Sequence, residues 1–314
     1  MKKEELRIVY MGTPEFAVES LKALVEGGYN VVAVVTMPDK PAGRGHKMQF
    51  SPVKEYALQA GLPVLQPEKL KAEDFISELR SYKADLQIVV AFRMLPEAVW
   101  TMPRLGTFNL HASLLPQYRG AAPINWAVIN GETETGITTF MLKHEIDTGD
   151  MLLQERISIG QDENVGSVHD RLMTLGAGLV LKTVDLILAG DVHPMPQPQL
   201  PADEMRPAPK IFKETCEANF NQTTSQVHNF IRGLSPHPTA WAELTLGGEK
   251  QVVKIFKAAP AFNDTTEAPA GTISTDGKHY LRVRCTDGWI ELQEIQLPGK
   301  KRMPARDALN GMRL

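Results

Sequence analysis

Apolar residues recur along this chain with two spacings. Leu6–Met11, Val31–Thr36 and Asp85–Phe92 are short, nearly continuous apolar runs, the pattern of strands buried on both faces. Between the first two, Phe16, Val18, Leu21, Leu24 and Val25 keep roughly helical spacing until Gly27-Gly28 stops it. Thr13 is placed to cap that helix, with Pro14 as its first residue. A strand, a helix and a second strand in this order predict a parallel sheet. Further helices are predicted over 51–60, 72–82, 96–100 and 123–130. Further strands are predicted over 62–65, 105–110, 136–143 and 151–159. A long amphipathic helix follows over 165–188, interrupted by Gly176 and Gly178.

The pattern then changes. Residues 190–209 are rich in proline and show no periodicity, which reads as an extended linker. One short helix, Ser225–Gly233, comes next. Five short strands follow, near 241–246, 251–258, 270–274, 279–285 and 288–295, separated by Gly-Gly, Asn-Asp and Asp-Gly turns. That spacing predicts a small antiparallel barrel of the OB type. The chain is therefore read as an α/β, Rossmann-like, mostly parallel domain over 1–190, a linker over 191–209 and a small β-barrel domain over 210–314.

Composition adds modest constraints. The 314 residues are 43% apolar and 23% charged, with a net charge of −3, as in ordinary soluble proteins. Charge is uneven: residues 1–209 carry 20 Lys and Arg against 26 Asp and Glu, whereas residues 210–314 carry 14 against 11. A mildly basic tail domain suits a polyanionic partner and equally suits chance. With two cysteines, Cys216 and Cys285, a disulfide framework is not expected, and a reducing cytoplasm is. The charged start, Met1–Glu5, is no targeting sequence, and no uninterrupted apolar run nears the roughly 18 residues of a membrane span. Neither cysteine has metal-site spacing. The first strand–helix turn holds a single glycine, which argues against a dinucleotide or nucleoside triphosphate site.

The candidate chemistry gathers around Asn109-Leu110-His111-Ala112-Ser113-Leu114-Leu115-Pro116. Asn109 and His111 lie two apart, so on an extended chain they leave the same face. An amide and an imidazole at a strand end beside an apolar turn suit a pocket in an α/β sheet. They equally suit a turn cap and a satisfied half-buried histidine. Asp147 and Asp150, in Asp147-Thr148-Gly149-Asp150, are candidates for chemistry or for an Asx-type turn. The stretch 37–48 holds two prolines, two glycines and the cations Lys40, Arg44 and Lys47. It reads either as a solvated loop or as a mobile basic arm that grips phosphates. Lys300-Lys301-Arg302 is a second basic cluster, at a barrel end.

Three separated elements then fall into one pattern. They are Asn109-x-His111 with Ser113-Leu114-Leu115-Pro116-x-x-Arg119-Gly120, Asp147-Thr148-Gly149-Asp150, and the Gly43-Arg44-Gly45 loop. Together they resemble the folate-dependent formyltransferases over nearly the whole chain. The 38–47 loop, Arg119-Gly120-Ala121-Ala122-Pro123 and the basic barrel point to the branch that formylates methionyl-tRNA. The resemblance implies transfer of a formyl group from 10-formyltetrahydrofolate to the α-amine of methionine on initiator tRNA, for translation initiation. It implies direct amine attack through a tetrahedral intermediate. Asn109, His111 and Asp147 match the family's catalytic positions, and Ser113, Leu114, Leu115 and Pro116 its folate-contacting run. The loop bearing Lys40, Arg44 and Lys47 matches the one that enters the tRNA acceptor stem. No metal and no membrane are implied, and a cytoplasmic monomer is expected. The chemistry of the residues agrees: Asn109 and a protonated His111 supply donors to a developing oxyanion, and Asp147 supports the imidazolium and a proton-carrying water. One departure is present. Where the family has a tyrosine-glycine pair, one or two residues and Leu-Pro, this chain has Phe92-Arg93-Met94-Leu95-Pro96. In the family this loop lines the pterin pocket.

Overall fold

The apolar runs of the N-terminal half line up in one seven-stranded sheet. The computed structural model describes residues 2–42, 47–262 and 264–310. Its first strands are β1 (Ile8–Gly12) and β2 (Val31–Val35), followed by a short hairpin of β3 (Lys40–Ala42) and β4 (Lys47–Gln49). Then come β5 (Val64–Leu65), β6 (Leu86–Val90), β7 (Thr107–His111), β8 (Glu134–Met141) and β9 (Met151–Ser158). The large sheet runs β5-β2-β1-β6-β7-β8-β9. The pairs from β5 to β7 are parallel, and β7–β8 is antiparallel. The mostly parallel α/β reading of the sequence therefore stands. Every residue of β1 and β6 is buried, as continuous apolar runs require.

Helices α1 (Glu15–Glu26), α2 (Pro52–Gln59), α3 (Glu73–Ser81), α4 (Glu97–Trp100), α5 (Pro123–Ile129) and α6 (Val165–Ala189) punctuate these strands. Ser51 caps α2, its hydroxyl accepting from the Lys54 amide at 3.1 Å. The expected cap on α1 is not formed. Pro14 occupies the cap position, and the Thr13 hydroxyl is buried with no partner among the described residues. Gly176 and Gly178 do not interrupt α6, which is one continuous 25-residue helix. Gly176 is needed for close packing: a Cβ there would lie 2.7 Å from Leu110 Cδ2 of β7. By length and composition α6 could cross a membrane. Its Leu172, Leu179, Val180 and Val184 are nevertheless buried in this fold, and Thr183 bonds Thr139 of β8 at 2.9 Å.

The chain divides into two compact units, and the division is not sequential. One unit comprises Met1–Arg119, Gly136–Ile157 and His169–Arg206. The other comprises Gly120–Thr135, Ser158–Val168 and Pro207–Leu314. The segment read as a linker thus falls with the first unit as far as Arg206. Its backbone is hydrogen-bonded there, with Met195 and Met151 exchanging bonds of 2.7 and 2.9 Å. Conversely, α5 packs within the second unit, where Asn125 donates to the Gly233 carbonyl at 2.9 Å.

The second unit holds α7 (Thr224–Leu234), β10 (Ala240–Leu246), β11 (Glu249–Pro260), β12 (Ile273–Thr275), β13 (Leu281–Arg284), β14 (Trp289–Gln296), β15 (Met303–Pro304) and α8 (Ala305–Asn310). Its strands form an antiparallel sheet in the order β10-β11-β14-β13-β12, with β15 against β14. Register shifts near Lys257 help the sheet to curl into an OB-like half-barrel. Val227, Ile231, Val253, Ile255, Leu281 and Ile290 are among the side chains of its core. Thr223 and Gln226 cap α7 reciprocally, side chain to backbone in both directions. The two-residue β15 and short α8 carry too little pattern for sequence reading. Of the basic tail, Arg302 is engaged locally: it forks onto Glu294 at 2.7 and 2.6 Å and lies over the Phe256 ring.

Candidate active site

Both sequence-selected residues of β7 lie toward its C-terminal end, where open α/β sheets bind ligands. Asn109 pairs in register with Val89 and Phe140, and His111 with Thr138. The intervening Leu110 is buried against Gly176 of α6. Strand alternation then turns Asn109 and His111 to the opposite face. Asn109 is half-buried, and its amide has no hydrogen-bond partner among the described residues.

His111 is buried, at 7% exposure. Its Nε2 lies 2.8 Å from the Tyr118 carbonyl oxygen. A carbonyl only accepts, so Nε2 carries a proton and donates. That leaves Nδ1 facing Asp147, whose Oδ2 is 3.9 Å away. The spacing is that of an ion pair, too long for a direct hydrogen bond. Phe140 closes one side of the imidazole edge-on, with ring centroids 6.4 Å apart. Asp147 adopts φ 56°, in the left-handed region that non-glycine residues rarely occupy. Two residues on, Gly149 presses on β8: a Cβ there would meet the Met141 carbonyl oxygen at 1.6 Å. This close approach holds the turn that carries Asp147 against the sheet.

The Ser113–Pro116 run is mostly buried, with Leu114 alone partly exposed. The Ser113 hydroxyl donates to the Gln117 carbonyl at 2.7 Å, so it braces the turn. Thr138 of β8 ties the same turn to the sheet, donating to the Ser113 carbonyl at 2.7 Å and accepting from the Leu115 amide at 3.3 Å. Sequence reading passed over both Thr138 and the Tyr118 carbonyl. A buried threonine has no distinct sequence signal, and a backbone acceptor has none at all.

The loop after β6 comes to the same region. His144, three residues before Asp147, pairs with Glu97 of α4 at 3.1 Å and meets the Trp100 ring edge-on. Arg93, which departs from the family pattern, donates Nη1 to the Glu68 carbonyl at 2.9 Å and Nη2 to the Pro67 carbonyl. Its Nε is buried with no partner among the described residues, and burial pushes its pKa down. Met94 and Ile146, beside these residues, leave large apolar side chains exposed. Accessible apolar side chains on the turns after β6 and before Asp147 suit a flat apolar ring.

Of the predicted basic arm, Lys40 is exposed on β3, and Lys47 begins β4. Arg44 lies outside the described residues. The arm is therefore built as a hairpin rather than a plain loop. Asp39 anchors its base, accepting from Lys54 at 2.5 Å and Gln66 at 2.7 Å. The Lys54 ammonium and the Gln66 amide hold its carboxyl below the usual range. Among the described residues, no three His, Cys, Asp or Glu gather in a metal-holding group.

An Asn, a His and an Asp around one open edge can donate hydrogen bonds and handle protons. Comparison with known proteins agrees. The formyl transferase model matches residues 6–184, and the formyl transferase C-terminal domain matches residues 210–313. The chain belongs to the formyl transferase family and is a formyl-transferring enzyme. Among its relatives, it is 66% identical to the methionyl-tRNA formyltransferase of Bacteroides fragilis, across 100% of this chain and 97% of that one. It is 54% identical to the protein of that name from Porphyromonas gingivalis, across 100% and 98%. Solved structures share the fold at lower identity. HypX from Aquifex aeolicus, in complex with tetrahydrofolic acid, gives a TM-score of 0.64 at 19% identity, over 97% of this chain and 47% of that chain. The sugar 3N-formyltransferase WlaRD, with dTDP and 5-N-formyltetrahydrofolate, gives 0.64 at 18%, over 94% and 99%.

Proposed function

We propose that this enzyme moves a formyl group from 10-formyltetrahydrofolate to the α-amine of methionine on charged initiator tRNA. The observation that carries the chemistry is the His111–Asp147 pair beside the uncommitted amide of Asn109. Full-length similarity to proteins named methionyl-tRNA formyltransferase supports the choice of acceptor.

Asn109 Nδ2 and His111 donate to the formyl oxygen as it gains negative charge. His111 enters that step as imidazolium, with Asp147 as its counter-charge. Asp147 also organises the water that carries the proton from the attacking amine toward the departing nitrogen. Leu114, Met94 and Ile146 supply apolar contact for the donor's ring. Ser113, Leu115 and Pro116 act by shaping the turn. Lys40, Arg44 and Lys47 contact tRNA phosphates, so tRNA use weakens as salt rises. The second unit contributes further contacts to tRNA, and the enzyme acts as a cytoplasmic monomer.

The test is a transfer assay with 10-formyltetrahydrofolate and methionine-charged initiator tRNA, run beside uncharged tRNA and small amines. Transfer to the charged tRNA alone is expected. Transfer to a sugar or nucleotide amine would overturn the acceptor, and formate release without any amine would make the protein a hydrolase. His111→Ala and Asp147→Ala should abolish turnover with the fold intact. Size-exclusion chromatography with light scattering checks the monomer.

A further inference from the structure

The proline-rich segment that follows α6 touches the catalytic turns at two places. The first is Gln197. From 193 to 199 its neighbours are all exposed, and it alone is partly buried. Its Nε2 donates to the Asp147 carbonyl at 2.7 Å and to the Gly149 carbonyl at 2.9 Å. Its Oε1 accepts from Arg119 Nη2 at 2.7 Å and Nε at 3.2 Å. Carbonyls cannot donate and a guanidinium cannot accept, so only one orientation of the amide satisfies all four contacts. The second place is the Gln117–Tyr118 turn. Gln117 donates to the Glu204 carbonyl at 2.9 Å and accepts from the Arg206 amide at 2.8 Å. The Tyr118 amide donates to the Arg206 carbonyl at 2.7 Å. The carbonyl of Tyr118 is the one that receives His111 Nε2.

We propose that Gln197 is a positioning residue for formyl transfer, and that segment 195–206 is a strap setting the His111–Asp147 separation. The proposal rests on the role assigned above to Asp147. Asp147 sits in a backbone conformation that L-residues disfavour, so its turn needs support from outside. The carbonyls flanking Thr148 receive that support from one amide group. The same side chain ties the turn to Arg119, eight residues beyond His111. Through Tyr118 the strap holds the histidine, and through Gln197 it holds the aspartate. The extended chain between these anchors keeps the two turns in register.

Gln197→Glu separates the two halves of this bridge. Glutamate keeps the volume and still accepts from Arg119, but it offers no proton to the two carbonyls. Gln197→Met keeps the reach and removes both halves. In the full-length protein, assayed with 10-formyltetrahydrofolate and charged initiator tRNA, both variants should lose roughly 10- to 100-fold in kcat. KM for either substrate should stay within about twofold, and the thermal midpoint within a few degrees. Gln199→Glu, which places the same charge two residues away, should keep wild-type kcat. Wild-type kcat in Gln197→Glu would overturn the proposal, as would equal losses in Gln197→Glu and Gln199→Glu. If Gln197→Met fails to fold, Gln197→Glu carries the test alone. Asp147→Asn is run alongside. If it stays fully active, the assigned role of Asp147 fails. If it is inactive while Gln197→Glu is normal, only the strap fails.

Discussion

Gly149→Ala should cripple transfer while leaving most of the fold in place. A Cβ at this position would lie 1.6 Å from the Met141 carbonyl oxygen, whereas ordinary contact begins at 3.4 Å. The obstacle is strand backbone, so the turn must yield by about 1.8 Å. Asp147 is two residues away on the same turn. If that shift falls along the line to His111, the 3.9 Å separation grows to about 5.7 Å. At an effective dielectric constant of about 20, the attraction between carboxylate and imidazolium falls from about 4.3 to about 2.9 kcal/mol. The difference, near 1.3 kcal/mol, corresponds to about tenfold in rate. Misorientation of the proton-carrying water adds to this, and an ångström of misplacement costs up to about 100-fold. The expected loss in kcat is therefore about 10- to 100-fold. Single-turnover transfer to charged tRNA measures it, with donor binding followed separately by fluorescence titration. A variant with wild-type single-turnover rate and wild-type melting would show that the turn does not set the His111–Asp147 geometry.

The two glycines of α6 should respond in opposite directions. Gly178→Ala has open space around its Cβ and should gain about 1 kcal/mol from helix propensity. Gly176→Ala pushes into buried Leu110, and overpacking should leave it about 1 kcal/mol less stable than wild type. Urea unfolding measures both, and stabilisation by both would refute the tight contact of helix and strand. Asp85 gives a pH test. Burial pushes its pKa up, but the Arg7 amide at 2.9 Å and Arg104 at 2.7 Å outweigh this and leave it depressed. A depressed pKa stabilises the fold above the unfolded value, near 4, and that stabilisation is lost as pH falls through the folded value. Asp85→Asn should thus cost roughly 1 kcal/mol at pH 7, with the difference from wild type closing below about pH 4. A pH-independent difference in urea unfolding would contradict the assignment. Both cysteines are buried, and burial pushes the Cys285 thiol up to about 12. Neither should react with a thiol reagent until the protein is unfolded, and rapid labelling of the native enzyme would count against this packing.

Sequence reading was strongest where one local pattern sufficed. β1, β2 and β6 are apolar on both faces, and α1, α3 and α7 keep a helical stripe, so their place in the sequence was plain. Asn109 and His111 were legible as a pair because strand alternation alone puts them on one face. The β3–β4 hairpin was not legible. Its strands, Lys40-Pro41-Ala42 and Lys47-Met48-Gln49, are three residues each, too short to show either period. Segment 191–209 read as a linker because its sequence lacks periodicity. Its order comes from hydrogen bonds to residues about 50 to 90 positions away, as with Gln197 to Asp147 and Gln117 to Glu204.

The sequence by itself determined the alternation of strands and helices, the change to short antiparallel strands beyond residue 210, and the candidate groups Asn109, His111, Asp147 and Asp150. These follow from nearest-neighbour sterics, from burial periodicity and from side-chain chemistry, which act over a few residues. Only the tertiary structure decided which groups those residues meet. The Tyr118 carbonyl fixes the imidazole, Gly149 lets the aspartate's turn settle on β8, and α6 lies close enough to β7 to require Gly176. Such contacts depend on the summed packing of distant segments, and a backbone carbonyl is the same at every position in the sequence.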